Sequence, residues 1–235
     1  MSTTPGAPSP SLTFEVIGSS ESTLTLSDFR LIVAGYTGRD EAAVQEHIRE
    51  LAAIGVPAPD SVPTFYDLDP ALATQAAAVT VEGGNTSGEV EPVLVRAGGR
   101  LYLGVGSDHT DRDIERDSVE LSKAACVKPL SRSLIELPAG LDWDSVGAQS
   151  TVDGRQYQQG SLRSLRIPTD VLALFDERSG DTVGDLVMFG GTLPVIGGEF
   201  IPGSDWSVLL ALPGGELIDH SYRVTSGVKK ESAER

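Results

Sequence analysis

The stretch GEVEPVLVRAGGRLYLGVGSDHTDRDIE, residues 88–115, decides how this chain is read. Glu89 and Glu91 stand two apart in a segment that reads as a strand, where side chains i and i+2 share a face. Gly98-Gly99 breaks the pattern like a hairpin turn. Beyond it, the apolar–polar alternation from Arg100 to Val105 marks a second strand, with Asp108 at its end. If the two strands pair, three carboxylates converge. Three anions at one point repel each other unless a cation joins them, and hard oxygen donors on a partly open site suit Mg²⁺ or Mn²⁺. Arg112 and Lys123 follow closely in the sequence. The same residues have a plainer reading. An isolated Glu-x-Glu is most often a solvated strand face, and Asp108 and Asp111 can cap a helix that begins near Asp113. Spacing alone does not choose between the two.

Composition narrows the partners. A chain of 235 residues, 40% hydrophobic and 22% charged, is long enough for one domain with a real core. The net charge of −16, with no basic cluster, argues against nucleic acid and against anionic membrane surfaces. A small anionic metabolite stays open, because a metal and a few cations can reverse the field of one pocket. Cys126 is the single cysteine, which excludes an intramolecular disulfide and reads as a small buried hydrophobe. No stretch approaches the ~20 apolar residues of a membrane span. The opening MSTTPGAPSPS lacks the basic and apolar regions of a secretory signal, so a cytoplasmic location is expected.

Residues 1–11 and 225–235 read as loose tails. Between them, 12–70 reads as N-terminal strands (Leu12 to Ile17, Thr23 to Ala34) followed by a helix. That helix, GRDEAAVQEHIRELAAIGVP, has Asp40 as cap, Val44, Ile48 and Leu51 as apolar stripe with Ile54 at its border, and Gly55 and Pro57 as its stop. His47 and Glu50 are three apart and therefore neighbours on its surface. They read as a surface pair, or as a general base held by a carboxylate on a helix that closes over a site. Residues 71–224 read as a β-rich region. Its strands include Ala76 to Glu82, a hairpin around Asp153-Gly154, Leu186 to Phe189, and a final hairpin from Ser207 to Val224 around Pro213-Gly214-Gly215. Helices are expected over Asp113 to Leu121 and Pro168 to Phe175, the second capped by Thr169. Residues 136–149 carry no clear pattern. The whole is an α+β chain, β-dominated and irregular, with a few short helices.

In order along the chain, these segments resemble the fumarylacetoacetate hydrolase family over about residues 31–224. The resemblance rests on His47-Ile-Arg-Glu50 followed by prolines and Phe65, on Glu89-Val-Glu91, and on Ser107-Asp-His-Thr-Asp-Arg-Asp-Ile-Glu115. It continues through Ser122-Lys123, then Asp153-Gly154 with Gln158, then Gly190-Gly191-Thr192 with Pro194. It implies an irregular mixed β-sheet roll and a Mg²⁺ or Mn²⁺ site held by Glu89, Glu91 and Asp108. His47, Glu50 and Lys123 would be the catalytic residues, and Arg112, Gln158, Gly191 and Thr192 would contact the substrate. The implied chemistry is hydrolytic C–C cleavage of a small acylpyruvate-like or β-dicarbonyl acid through a metal-stabilised enolate, in a homodimer. A 2-oxo acid decarboxylase, hydratase or tautomerase, and a non-catalytic metabolite-binding member, are the alternatives. Two departures touch the substrate side. The basic residue of the family's Phe-x-Lys is Asp67 here, and Glu115 replaces a glutamine.

Overall fold

A computed structural model describes residues 11–19, 22–53, 55–180 and 182–227. The expected tails, apart from residues 11 and 225–227, and Ile54 lie outside the described residues. The strands longer than two residues are β1 (Leu12–Ile17), β2 (Thr23–Leu26), β3 (Arg30–Gly35), β4 (Thr64–Leu68), β5 (Ala78–Val81), β6 (Val90–Ala97), β7 (Arg100–Ser107), β8 (Ser133–Glu136), β9 (Gly147–Val152), β10 (Arg155–Ser161), β11 (Leu186–Phe189), β12 (Asp205–Ala211) and β13 (Leu217–Ser226). The helices are α1 (Glu41–Ala53), α2 (Arg112–Glu115), α3 (Val119–Ala124) and α4 (Pro168–Ser179).

Eight strands form one mixed sheet in the order β2-β1-β8-β7-β6-β11-β3-β4, and five form a second in the order β10-β9-β12-β13-β5. The centre of the large sheet is apolar on both faces because both are covered. Leu94, Leu103, Ile32 and Met188 pack with Val171, Leu172 and Phe175 of α4 and with Val208 and Leu210 of the second sheet. The alternate residues Val93, Val95, Leu31, Val33 and Val187 pack with Phe14, Leu130 and Leu134. Strand periodicity thus assigns neighbouring residues of one strand to two cores. All eight residues of β6 are buried, including Arg96, whose Nη1 donates to both carboxylate oxygens of Asp176 at 2.8 and 2.9 Å. In the second sheet β12 keeps a buried–open alternation, with one face on the core. Among the described residues, no helix is long and apolar enough to cross a membrane.

The structure redraws several elements. The expected strand from Thr23 to Ala34 is two strands, broken at 27–29. The helix expected over Asp113 to Leu121 is two short ones. Asp111 caps the first, accepting from the amides of Asp113 at 3.0 Å and Ile114 at 3.2 Å, and Ser118 caps the second, accepting from Leu121 at 3.2 Å. Two caps seven residues apart force the break that apolar spacing does not show. Helix α4 runs on past Phe175 to Ser179 and stops at Gly180, where φ is 70° and a glycine costs least. Its start is set by Pro168 after Ile167, not by a Thr169 cap. The unassigned 136–149 contains a short 3₁₀ turn at Trp143–Ser145 and the start of β9.

Candidate metal centre

The β6–β7 hairpin brings the carboxylates together. Val90 pairs with Ser107 and Glu91 with Gly106, and the Asp108 amide donates to the Glu89 carbonyl at 3.0 Å. Glu89 and Glu91 therefore lie on one face beside Asp108. One oxygen from each of Glu89, Glu91 and Asp108 lies within 4.8 Å of the others. The three residues are 9%, 2% and 0% exposed, so the solvated-face reading of Glu-x-Glu does not hold. Gly191 completes this corner. Its φ of +98° and a virtual Cβ 1.7 Å from Thr37 Oγ1 admit only glycine, and its amide donates to Glu91 Oε2 at 2.8 Å.

Three cations face the three carboxylates. Lys123 donates to Asp108 Oδ2, and Lys128 Nζ lies 3.0 Å from Oδ1 of the same residue while donating to the His109 carbonyl at 2.6 Å. Arg112 bonds Ser87 Oγ at 2.7 Å and Glu115 Oε2 at 2.8 Å, and approaches Glu89 Oε1 to 3.2 Å. Sequence reasoning misses Lys128, which is 0% exposed. Its only signal is a lone lysine in the otherwise uncharged run Ala124 to Leu130. His109 is also missed. It is wholly buried, with Nδ1 at 3.0 Å from Tyr222 Oη and Nε2 at 3.0 Å from Thr86 Oγ1. Burial, reinforced by Lys128 and Arg112, pushes its pKa down to about 3, so it is a neutral wedge between the hairpin and β13.

The electrostatics are uneven. Burial pushes Asp108 up, but Lys123 and Lys128 more than reverse this and hold it well below the usual carboxylate range. Burial raises Glu89, with Arg112 opposing. Glu91 is raised furthest from its ordinary value, first by burial and then by the Asp108 charge. Lys123 and the Gly191 amide, its hydrogen-bond partner at 2.8 Å, oppose the rise without reversing it, and among the described residues no lysine or arginine forms an ion pair with it. A buried, under-compensated carboxylate beside two more oxygen donors fits a hard divalent cation.

This gives a pH prediction. Glu91 binds its proton more tightly folded than unfolded, so in the window above 4.5 the native state carries the extra proton. Stability of the metal-free chain contributed by Glu91 therefore falls as pH rises through its folded pKa. Divalent-ion affinity should rise across the same window, because the metal needs the carboxylate. Thermal melts of wild type and Glu91→Gln in EDTA across pH 5–8, with Mg²⁺ titrations of wild type over the same range, check this; parallel stability profiles or a pH-independent wild-type affinity would contradict it.

Other expected site residues are placed differently. His47 and Glu50 lie on α1, with side chains 61% and 68% exposed and Nδ1 to Oε2 at 3.7 Å, outside the carboxylate cluster. The Tyr36 ring lies 6.4 Å from that of His47, and burial raises its phenol pKa, with Lys123 opposing. Gln158, expected to touch substrate, is fully buried and spent on the protein. Its Oε1 accepts from the Val90 amide and Ser150 Oγ, both at 2.8 Å. Its Nε2 donates to Thr192 Oγ1 at 2.8 Å and to the Leu193 carbonyl at 2.6 Å. That exhausts the amide's capacity. The Thr192 hydroxyl in turn donates to the Val90 carbonyl at 2.9 Å. Gln158, Thr192 and Gly191 thus latch the 190–194 loop to β6 and orient Glu91. Two surface clefts, of about 670 and 470 Å³, include no residue of this cluster.

Residues 34–222 match the family described as "Protein of unknown function (DUF2848)". The chain belongs to this family. No curated protein matches it. Solved structures give its fold. Fumarylpyruvate hydrolase from Pseudomonas aeruginosa, in complex with Mn²⁺ and pyruvate, superposes with a TM-score of 0.65 at 20% identity over 96% of this chain and 99% of that one. The 5-carboxymethyl-2-hydroxymuconate delta-isomerase from Mycobacterium smegmatis gives 0.57 at 17% identity over 86% and 80%. A 2-keto-3-deoxyarabinonate dehydratase gives 0.57 at 14% over 90% and 79%. The DUF2848 chain therefore has the fold of fumarylacetoacetate hydrolase-family proteins, with its acidic triad on the central hairpin.

Proposed function

We propose that this chain is a divalent-metal-dependent hydrolase that cleaves a C–C bond in a small acylpyruvate-like or β-dicarbonyl acid. The observation that carries this reading is the buried triad Glu89, Glu91 and Asp108 with Lys123 beside it. A Mg²⁺ or Mn²⁺ ion held there supplies Lewis-acid polarisation of a substrate carbonyl. Lys123 stabilises negative charge that develops on the substrate oxygens. Arg112 fixes Glu89 and adds positive field for an anionic metabolite. Gly191 holds Glu91 in place. His47, paired with Glu50 and with the Tyr36 ring beside it, takes a proton from water once α1 closes over the site. By the family resemblance, the working form is a homodimer, and the cytoplasm is its expected location.

The open position of His47 favours a second reading, in which no water is activated there. The triad and Lys123 then serve decarboxylation, hydration or tautomerisation of a 2-oxo acid. The fold carries such variety, since similar structures include an isomerase and a dehydratase. Mass analysis of products from an acylpyruvate and 2-oxo diacid panel, with Mg²⁺ or with EDTA, decides. A cleaved pair of acids formed only with metal is expected. Loss of CO₂ or gain of water would replace hydrolysis by the sibling reaction, and no turnover at all would leave a metabolite-binding protein. For the hydrolase, His47→Ala should lower the rate by about 10²–10⁴ while metal binding persists.

A further inference from the structure

Phe200 lies at the edge of this site, and none of the chemistry above uses it. Its ring covers the guanidinium of Arg112, with the ring centroid 3.7 Å from Cζ. Arg112 is 6% exposed and Phe200 is 47% exposed, so the ring is the outer surface of a buried cation that itself approaches Glu89. The ring is fixed there. On one side the Ile196 amide donates to the Tyr157 carbonyl at 2.9 Å, and Gly197 and Gly198, both with positive φ, turn the chain. On the other side the Gly203 carbonyl accepts from Trp206 Nε1 at 3.0 Å, and the Ser204 amide donates to Asp153 at 3.1 Å.

Among the described residues seven large apolar side chains are exposed, and three of them, Ile196, Phe200 and Ile201, fall within six residues of this loop. Exposed apolar surface concentrated in one place marks a contact site. Here it continues directly into the polar cluster through the Phe200–Arg112 stack. A chelating head at the carboxylate triad and an apolar wall beyond Arg112 call for a ligand built the same way.

We infer that Phe200 is a specificity-determining residue: the ligand is a 2-oxo or 2,4-dioxo acid whose far end is apolar or aromatic and packs against the Phe200 ring. This rests on the proposed metal-dependent reading of the triad and adds to it the chemical class of the substituent. A short, wholly polar acid would leave the wall empty.

Stable chelators test this without turnover. Oxamate carries only the chelating head, and N-phenyloxamate adds a phenyl ring. With the Mn²⁺-loaded full chain, calorimetry should give N-phenyloxamate an affinity about tenfold or more above oxamate, the expectation for burying one ring face. The ratio should collapse toward one in Phe200→Ala and return to within about threefold of wild type in Phe200→Leu, which restores an apolar wall without a ring. A wild-type ratio near one, or a ratio unchanged in Phe200→Ala, would overturn the inference while oxamate binding upheld the metal site. Failure of both chelators in the presence of metal would remove the functional reading, and this one with it. If Phe200→Ala instead converted a dimer to a monomer by light scattering at an unchanged ratio, the patch would be an interface between copies and the inference would fall.

Discussion

Asp108→Ala is expected to destabilise the metal-free chain by about 3–5 kcal/mol, because it leaves Lys123 and Lys128 buried without their counter-ion. For a chain of this size that is a fall in Tm of order 10 °C. Glu91→Gln removes a carboxylate from the same site with the opposite consequence. Glu91 is buried without an ion pair of its own among the described residues, burial and the Asp108 charge outweigh the nearby Lys123, and its charge costs free energy in the absence of metal. The neutral amide should leave Tm in EDTA unchanged or raised. Thermal melts of both variants in EDTA check the contrast. Equal losses would mean that the carboxylates are interchangeable parts of one network, and that the uneven charge distribution described above is wrong.

The second large effect appears when metal is added. Mg²⁺ or Mn²⁺ at 100 times its Kd should stabilise wild type by about 2.7 kcal/mol, which is about 5–10 °C in Tm. Oxalate, a bidentate dianion, should enlarge the shift. Glu91→Gln and the double variant Glu89→Ala/Glu91→Ala should show neither response. This measurement is independent of turnover, so it separates the metal centre from the choice of reaction. A flat wild-type response to both metals would sink the metal enzyme while leaving the fold untouched.

Much of the centre is legible in the sequence. Glu89 and Glu91 share a face because a strand has period two, and Gly98-Gly99 supplies the turn that returns the chain toward Asp108. Leu186 to Phe189 reads as a buried strand because four consecutive apolar residues suit a strand covered on both sides, and the structure places it between β6 and β3. Those signals are local, and local spacing determines them. Lys128 is different. A lysine in a two-residue strand announces nothing, and its role exists only because Lys128–Pro129 pairs with Ala73–Thr74 and aims Nζ at Asp108.

Gln158 shows the same limit from the other side. The family resemblance implies a ligand contact for it, but the packing of β10 against the 190–194 loop consumes all four of its hydrogen-bonding positions. His47–Glu50 is readable as a pair from helical spacing alone, whereas its distance from the triad is set by where α1 rests. The sequence by itself determined the strand faces and the hairpin that bring Glu89, Glu91 and Asp108 together, both consequences of period and turn chemistry. Tertiary structure alone decided which charges are compensated, which polar groups are already used, and that Phe200 covers Arg112. Burial and pairing are properties of three-dimensional neighbours far apart along the chain.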